Sequence, residues 1–421
     1  MGRLRTFPIA LAGIVLVGVL IRISYTIWIA PWPPRALTDE YYYSYLPSLI
    51  AQGAGIIDPL KIFQGHHDQT ALHAPLYPFV LTGLYELGGT GQEAQRLLGS
   101  LFGAGTIVIL ALLGRRVAGD RVGLIAAAIA AVYPMLITAD GALMSESLYG
   151  LLVALALLAA IRCRDAPGWR RGVALGAVGG LAALTRGEGF LLLLLLLIPI
   201  ARVPSGGRTA GVALLTMLVV VAPWTVRNAI VFHRFVLVSN DLGITIAGAN
   251  CPVTYSGGGV GSWFPGAPCA RAYPGNEAAV SARYEADGLR YAEHHLGRLP
   301  VVLLAREGRV WGLLQPGLTD DGRNGTAERL GMLAYYVLAL LAIAGVVILR
   351  RRGRSVWILV TPFLLVTIVV AGTFGLIRFR EAAELSLVIL SAVTLDQLWT
   401  MLTARRSAGR PAAQPLVPDA A

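Results

Sequence analysis

Residues 3–43 read RLRTFPIALAGIVLVGVLIRISYTIWIAPWPPRALTDEYYY. Two arginines precede an apolar run from Phe7 to Ala30. After a short polar stretch two adjacent carboxylates, Asp39 and Glu40, appear among tyrosines. The apolar core is too long for a cleavable signal, and many more such runs follow. It reads as a first membrane span with the N-terminus inside, because basic residues stay on the cytoplasmic side. The acids then emerge just above the opposite face. The rest of the chain agrees: of 421 residues, 56% are hydrophobic and only 14% charged, against about 25% in a soluble domain. This is a polytopic membrane protein. A secreted enzyme, a cytosolic enzyme and a disordered binder are excluded.

The basic residues fix the expected topology. All of them are arginine except Lys61, and they cluster between apolar runs: Arg3 and Arg5; Arg115, Arg116 and Arg121; Arg162, Arg164, Arg170 and Arg171; Arg202 and Arg208; Arg350, Arg351, Arg352 and Arg354; Arg405, Arg406 and Arg410. Ten spans put every cluster inside: 7–30, 94–114, 122–138, 143–161, 172–185, 190–201, 209–224, 330–349, 355–372 and 382–401, with both termini cytoplasmic. The net charge of +11 is thus accounted for without nucleic acid, for which no motif exists. The fifth and sixth spans are short. A single span over 172–201 is the alternative, but it would bury Arg186 and Glu188, whereas a turn through Gly187 and Gly189 leaves both at the outer side.

The organisation that follows is a membrane module over 1–229 with a first outer loop at 31–93, a second outer loop at 230–329, C-terminal spans over 330–401, and a disordered tail at 402–421. In the first outer loop residues 76–87 read as an interfacial helix. In the second, 277–298 read as a polar surface helix and 300–314 as another interfacial one. Cys251 and Cys269 share that loop, where a disulfide persists in an oxidising compartment; two unpaired small residues are the competing reading.

Chemistry then belongs at the outer face. Asp39 and Glu40 follow the first span. A carboxylate in a poorly solvated pocket has raised proton affinity and serves as a general base; the bland reading makes Asp39 a solvated helix cap. His66, His67 and Asp68 precede His73-Ala74-Pro75-Leu76 in the same loop. They fit hydrogen bonding to substrate, with a divalent ion held together with Asp39 as the alternative. Glu146, in Met144-Ser145-Glu146-Ser147, opens the fourth span, either at a site or as a residue favoured at a helix N-terminus. Arg186, Arg227 and Arg378 stand at three outer span ends. Each can fork onto a phosphate, form an ion pair, or snorkel. No phosphate-binding loop, dinucleotide fingerprint or zinc-protease motif occurs, so an activated donor must arrive in the membrane.

In this order the motifs resemble the GT-C superfamily of membrane glycosyltransferases, in the branch of protein O-mannosyltransferases and lipid A aminoarabinose transferases (glycosyltransferase family 39-like). Asp39-Glu40 is similar to the first-loop acidic motif. His73-Ala74-Pro75-Leu76 resembles the His/Lys-Pro-Pro-Leu segment, with Ala74 for the first proline. Arg96 with Gly114-Arg115-Arg116, Ser145-Glu146, the stretch from Gly180 to Arg186, and Pro223-Trp224 with Arg227-Asn228 continue the likeness, over roughly residues 1–230. Gly187 stands where many members have proline. The resemblance implies an all-α polytopic fold of about ten transmembrane helices in the bacterial cytoplasmic membrane, with the active site extracytoplasmic. It implies inverting transfer of a sugar from a polyprenyl-phosphate carrier to a hydroxyl of a glycan, lipid or protein. Asp39 would be the base, Glu40 and Glu146 would orient it or the acceptor, and Arg186, Arg227 and Arg378 would contact phosphate. Tyr42, His66, His67 and His73 would line the substrate. No cofactor is required, since lipid phosphate is a fair leaving group. A transporter or flippase of lipid-linked glycans is the alternative; it predicts mid-membrane charges and internal repeats, and no repeat is found.

Overall fold

The apolar runs of the sequence are helical, because a backbone in hydrocarbon must satisfy its own hydrogen bonds. The computed structural model describes residues 2–30, 38–62, 65–315 and 324–408. In chain order the helices are α1 (Gly2–Trp28), α2 (Asp39–Ala51), α3 (Leu76–Glu86), α4 (Gln92–Ala118), α5 (Asp120–Val132), α6 (Pro134–Gly141), α7 (Glu146–Asp165), α8 (Trp169–Thr185), α9 (Gly189–Ala201), α10 (Gly206–Phe232), α11 (Asp241–Ala249), α12 (Pro252–Tyr255), α13 (Glu277–His294), α14 (Leu299–Val310), α15 (Gly325–Arg351), α16 (Trp357–Gly372) and α17 (Glu381–Ala408). Short 3-10 segments run over Gly257–Gly259 and Ile377–Arg380.

Ten spans are not found. Among the described residues six helices are long and apolar enough to cross a membrane: α1, α4, α7, α10, α15 and α17. A seventh appears if α5 and α6 count as one bent span. Helices α9 and α16 are apolar but have 13 and 16 residues, and α8 has 17. At 1.5 Å per residue, 13 residues cover about 20 Å, roughly two thirds of a hydrocarbon core. The chain turns between α8 and α9 at Arg186–Glu188, where Arg186 leaves the helix in an extended conformation. The expected tail from 402 begins as helix, since α17 continues to Ala408; residues 409–421, like 31–37 of the first outer loop, lie outside the described residues.

The bend between α5 and α6 measures 56° and has a local cause. Pro134 has no N–H, so the Ala130 carbonyl loses its helical donor. Arg22 of α1 replaces it: Nη2 donates to Ala130 O at 3.0 Å, Nη1 to Ala131 O at 3.1 Å, and Nε to Asp140 of α6 at 2.7 Å. Arg22 is 1% exposed. In the sequence it lies inside the apolar run from Phe7 to Ala30, where nothing local marks it. A side chain on Gly103 of α4 would run into both Asp140 and Arg22. The bend aims α6 at the turn 142–145 that delivers Glu146.

Close packing elsewhere also rests on small residues. Gly172, Gly176 and Gly180 lie one turn apart on α8, and a Cβ on each would strike α10, the small-residue contact favoured between membrane helices. Helices α15 and α17 pack together, as do α16 and α17. The second outer loop folds as α11 against α13, with Cys251 and Cys269 joined as a disulfide, their Cα atoms 5.2 Å apart.

Candidate active site

Thr38 is the N-cap of α2. Its backbone is extended and its hydroxyl accepts from Tyr41 N at 3.4 Å. Asp39 therefore does not cap the helix; its carboxylate is left for other partners. It has two. His73 Nε2 lies 3.4 Å from Oδ1, and Arg378 Nη2 donates to Oδ2 at 3.0 Å. Arg378 comes from the 3-10 segment that precedes α17, nearly the full chain away. Its Nε also lies 3.7 Å from Glu146, the first residue of α7. Arg186, in the turn between α8 and α9, places Nη1 2.9 Å from the same Glu146 oxygen and Nε 2.6 Å from Glu188.

The result is an alternating chain: His73, Asp39, Arg378, Glu146, Arg186, Glu188. It balances when His73 is protonated and carries one negative charge when His73 is neutral. Burial by itself raises the Asp39 carboxyl, but His73 and Arg378 outweigh it and hold it well below the usual carboxylate range. This corrects the expectation of raised proton affinity: a pocket with two cations stabilises the charged form. Burial lowers His73, yet Asp39 prevails and its affinity for a proton is raised. The His73 ring sits between Tyr42, edge-on at 4.7 Å, and Tyr43, tilted at 5.3 Å. The Asp39 side chain is 35% exposed and that of Glu146 2%. Asp39 can meet an incoming group. Glu146 is a fixed countercharge between two guanidiniums, which also lie over Phe379.

Asp39, Glu146, His73, Arg186 and Arg378 are thus brought together, with Tyr42 beside them. The others are not. Glu40 is buried on α2 in electrostatic reach of Arg96. His66 and His67 are exposed, and among the described residues no side-chain bond ties them to the cluster. Among the described residues no group of three His, Cys, Asp or Glu side chains is placed to hold a metal. Arg227 is spent on the first loop, donating to Thr70 O at 2.9 Å and Gln69 Oε1 at 2.8 Å. Arg380, two residues after Arg378, is fully buried against Glu384 and over the Tyr335 ring at 3.6 Å. One acid was missed. Asp241 opens α11, accepts from Ser239 Oγ at 2.7 Å, and burial raises its proton affinity while His73 lowers it. Nothing in the local sequence marks it, because its neighbour His73 is distant in the chain.

The sequence pattern of the family described as dolichyl-phosphate-mannose-protein mannosyltransferase matches residues 72–226. That segment holds His73, Glu146 and Arg186 but neither Asp39 nor Arg378. No curated protein matches in sequence. Among solved structures, the oligosaccharyltransferase AglB of Archaeoglobus fulgidus, in complex with an inhibitory peptide and a dolichol-phosphate, superposes with a TM-score of 0.57 at 14% identity, over 97% of this chain and 52% of that one. Its apo form gives 0.56 at 15% identity, over 94% and 51%. ArnT of Cupriavidus metallidurans bound to undecaprenyl phosphate gives 0.47 at 14% identity, over 97% and 81%. The chain spans about half the length of the archaeal enzyme. Helix order and superposition show the fold: this is a polytopic all-α membrane protein with the fold of the archaeal enzyme.

Proposed function

We propose that the chain is an inverting glycosyltransferase that moves a sugar from a polyprenyl-phosphate carrier to an acceptor hydroxyl. It would work at the outer face of a bacterial cytoplasmic membrane, with both termini inside and α3 and α14 lying at the interface. The observation that carries this reading is the alternating cluster of three acids, two arginines and His73. It gathers the first outer loop, the start of α7, the α8–α9 turn and the segment before α17 at one place in a GT-C-type fold. Acid for a hydroxyl and arginine for a phosphate are the two recognition chemistries such a transfer needs.

In the free protein the two chemistries neutralise each other. A donor phosphate arriving beside Arg378 and Arg186 competes with Asp39, Glu146 and Glu188 for the same guanidinium donors. Once Arg378 turns toward phosphate, Asp39 keeps His73 but loses one of the two cations that hold its carboxyl down, and regains proton affinity. Asp39 then takes the proton from the acceptor hydroxyl as its oxygen attacks the anomeric carbon. The carbon–oxygen bond to phosphate breaks, its electron pair leaves on the lipid phosphate, and the configuration inverts. Arg378 and Arg186 stabilise the charge that develops there. His73 stays on Asp39 and keeps it oriented.

The test is purified protein with radiolabelled polyprenyl-phosphate sugars, scoring label that leaves the lipid for an acceptor. Asp39→Asn should lower turnover by roughly 10²–10⁴, the usual worth of a general base. It should bind donor at least as well as wild type, because Arg378 is released. Wild-type turnover in that variant would remove Asp39 from the mechanism.

A further inference from the structure

In the first outer loop an isolated bridge pairs Ile57 with Gln69, and no α-helix lies among the described residues from Gln52 to Pro75. Yet this segment carries His73, which must stay on Asp39. Residues 69–71 are held from outside the loop. Arg227, near the end of α10, donates to Thr70 O and to Gln69 Oε1. Glu277, the first residue of α13, accepts from Thr70 Oγ1 at 2.7 Å and from Ala71 N at 2.8 Å. Asn240 donates through Nδ2 to Glu277 and through its backbone N–H to Ala71 O, both at 2.8 Å. Thr70 Oγ1 in turn accepts from Leu72 N at 3.0 Å. Thr70 and Ala71 are buried, 0% and 1% exposed. Every polar backbone group of Thr70 and Ala71 is engaged, since Thr70 N donates to Ile56 O.

We propose that Arg227 and Glu277 are positioning residues that grip residues 69–71 from opposite sides and so hold His73 against Asp39. The inference rests on the transferase reading for its effect on turnover, but not for its geometry. Two side chains from elements far apart in sequence converge on one dipeptide, two residues before His73. Both use charged groups, whose hydrogen bonds are the stronger kind. The second outer loop thereby becomes part of the site through Asn240 and Glu277, which act on His73 by way of residues 70 and 71.

The readout is the titration of His73, followed by NMR on histidine-labelled protein in detergent with His73→Gln to assign the signal. The charged groups that face His73 are Asp39 on α2, Arg378 before α17 and Asp241 on α11. Those that face Glu277 are Asp58 and Arg227. Loosening the grip moves His73 off Asp39, so its midpoint should fall toward the ordinary value near 6.5. Glu277→Gln keeps the shape and puts an amide N–H against donors. Thr70→Val keeps the volume and removes single bonds, and it carries the test if Glu277→Gln does not fold. In either variant the expected result is a lowered His73 midpoint, a transfer rate down about 10- to 100-fold from misplacement, and unchanged donor affinity. An unshifted His73 in folded variants overturns the proposal, as does a loss of donor affinity equal to the loss of rate. The titration needs no substrate. A shifted midpoint in a protein that transfers no sugar would therefore retain the grip and discard the transferase.

Discussion

Asp39 and His73 make a pair whose charge states pull in opposite directions with pH. The Asp39 carboxyl is held below its unfolded value near 3.9, so its contribution to stability is present above that value and is lost as pH falls through the lower folded one. His73 is raised above about 6.5, so its contribution is full below that value and is lost as pH rises through the folded one. The pair is therefore strongest between about pH 4 and pH 6.5. Unfolding temperatures of detergent-solubilised protein should decline above that window, and His73→Gln should flatten the decline. Arg186 is the other decisive residue. Its side chain is 18% exposed and it joins two acids. Arg186→Ala leaves Glu146 buried with half its countercharge, which costs about 3–5 kcal/mol when such a pair is broken. Adding Glu146→Gln should restore stability but not donor binding. Restored donor binding in the double variant would make Arg186 a structural cation only.

Among the elements, the bent α5–α6 pair depends most visibly on a single partner. Arg22 satisfies the carbonyl that Pro134 orphans and neutralises Asp140 within the bundle. Arg22→Leu should destabilise by about 3–5 kcal/mol, because the buried Asp140 carboxylate loses the guanidinium it is paired with. Arg22→Leu with Asp140→Leu should recover much of that, though not the orphaned carbonyls. Resistance to unfolding by denaturing detergent measures both. Equal stability of wild type and Arg22→Leu would mean the bend is held by packing alone. The disulfide and the α8 glycines act at the same scale: they fix how elements meet, not what they react with.

For the whole molecule, the arginine clusters and the site predict opposite sides of the membrane. Single cysteines introduced at Asp165 and Gly207 should react only from the inside, and at His67 and Gly297 only from the outside. Gly207 and Gly297 have open space for the added side chain, whereas a side chain at Gly206 would strike Ile200. Outside labelling at Gly207 would sink the two short helices α8 and α9 as a descending and returning pair. It would also invert everything after them.

The sequence by itself determined the membrane class, the helical fold, the position of the long apolar helices and the acid pair that opens the first outer loop. These follow from local properties: apolar length, arginine clusters and the Asp39-Glu40 pair. It also pointed to Glu146, Arg186 and Arg378 one at a time, each with a bland reading that local sequence could not remove. Only the tertiary structure decided which of them meet. Asp39 and Arg378 are 339 positions apart, and an ion pair at that separation leaves no periodic trace. Tertiary contacts also reversed the sign of the Asp39 shift, since burial alone raises a carboxyl and two converging cations lower it. They reassigned Arg227 from phosphate to backbone, turned Glu40 and Arg380 inward, and added Asp241 and Glu277 from a loop with no readable motif. A residue's type sets what it can bind, but its charge state and its partner depend on neighbours that folding alone brings within a few ångströms.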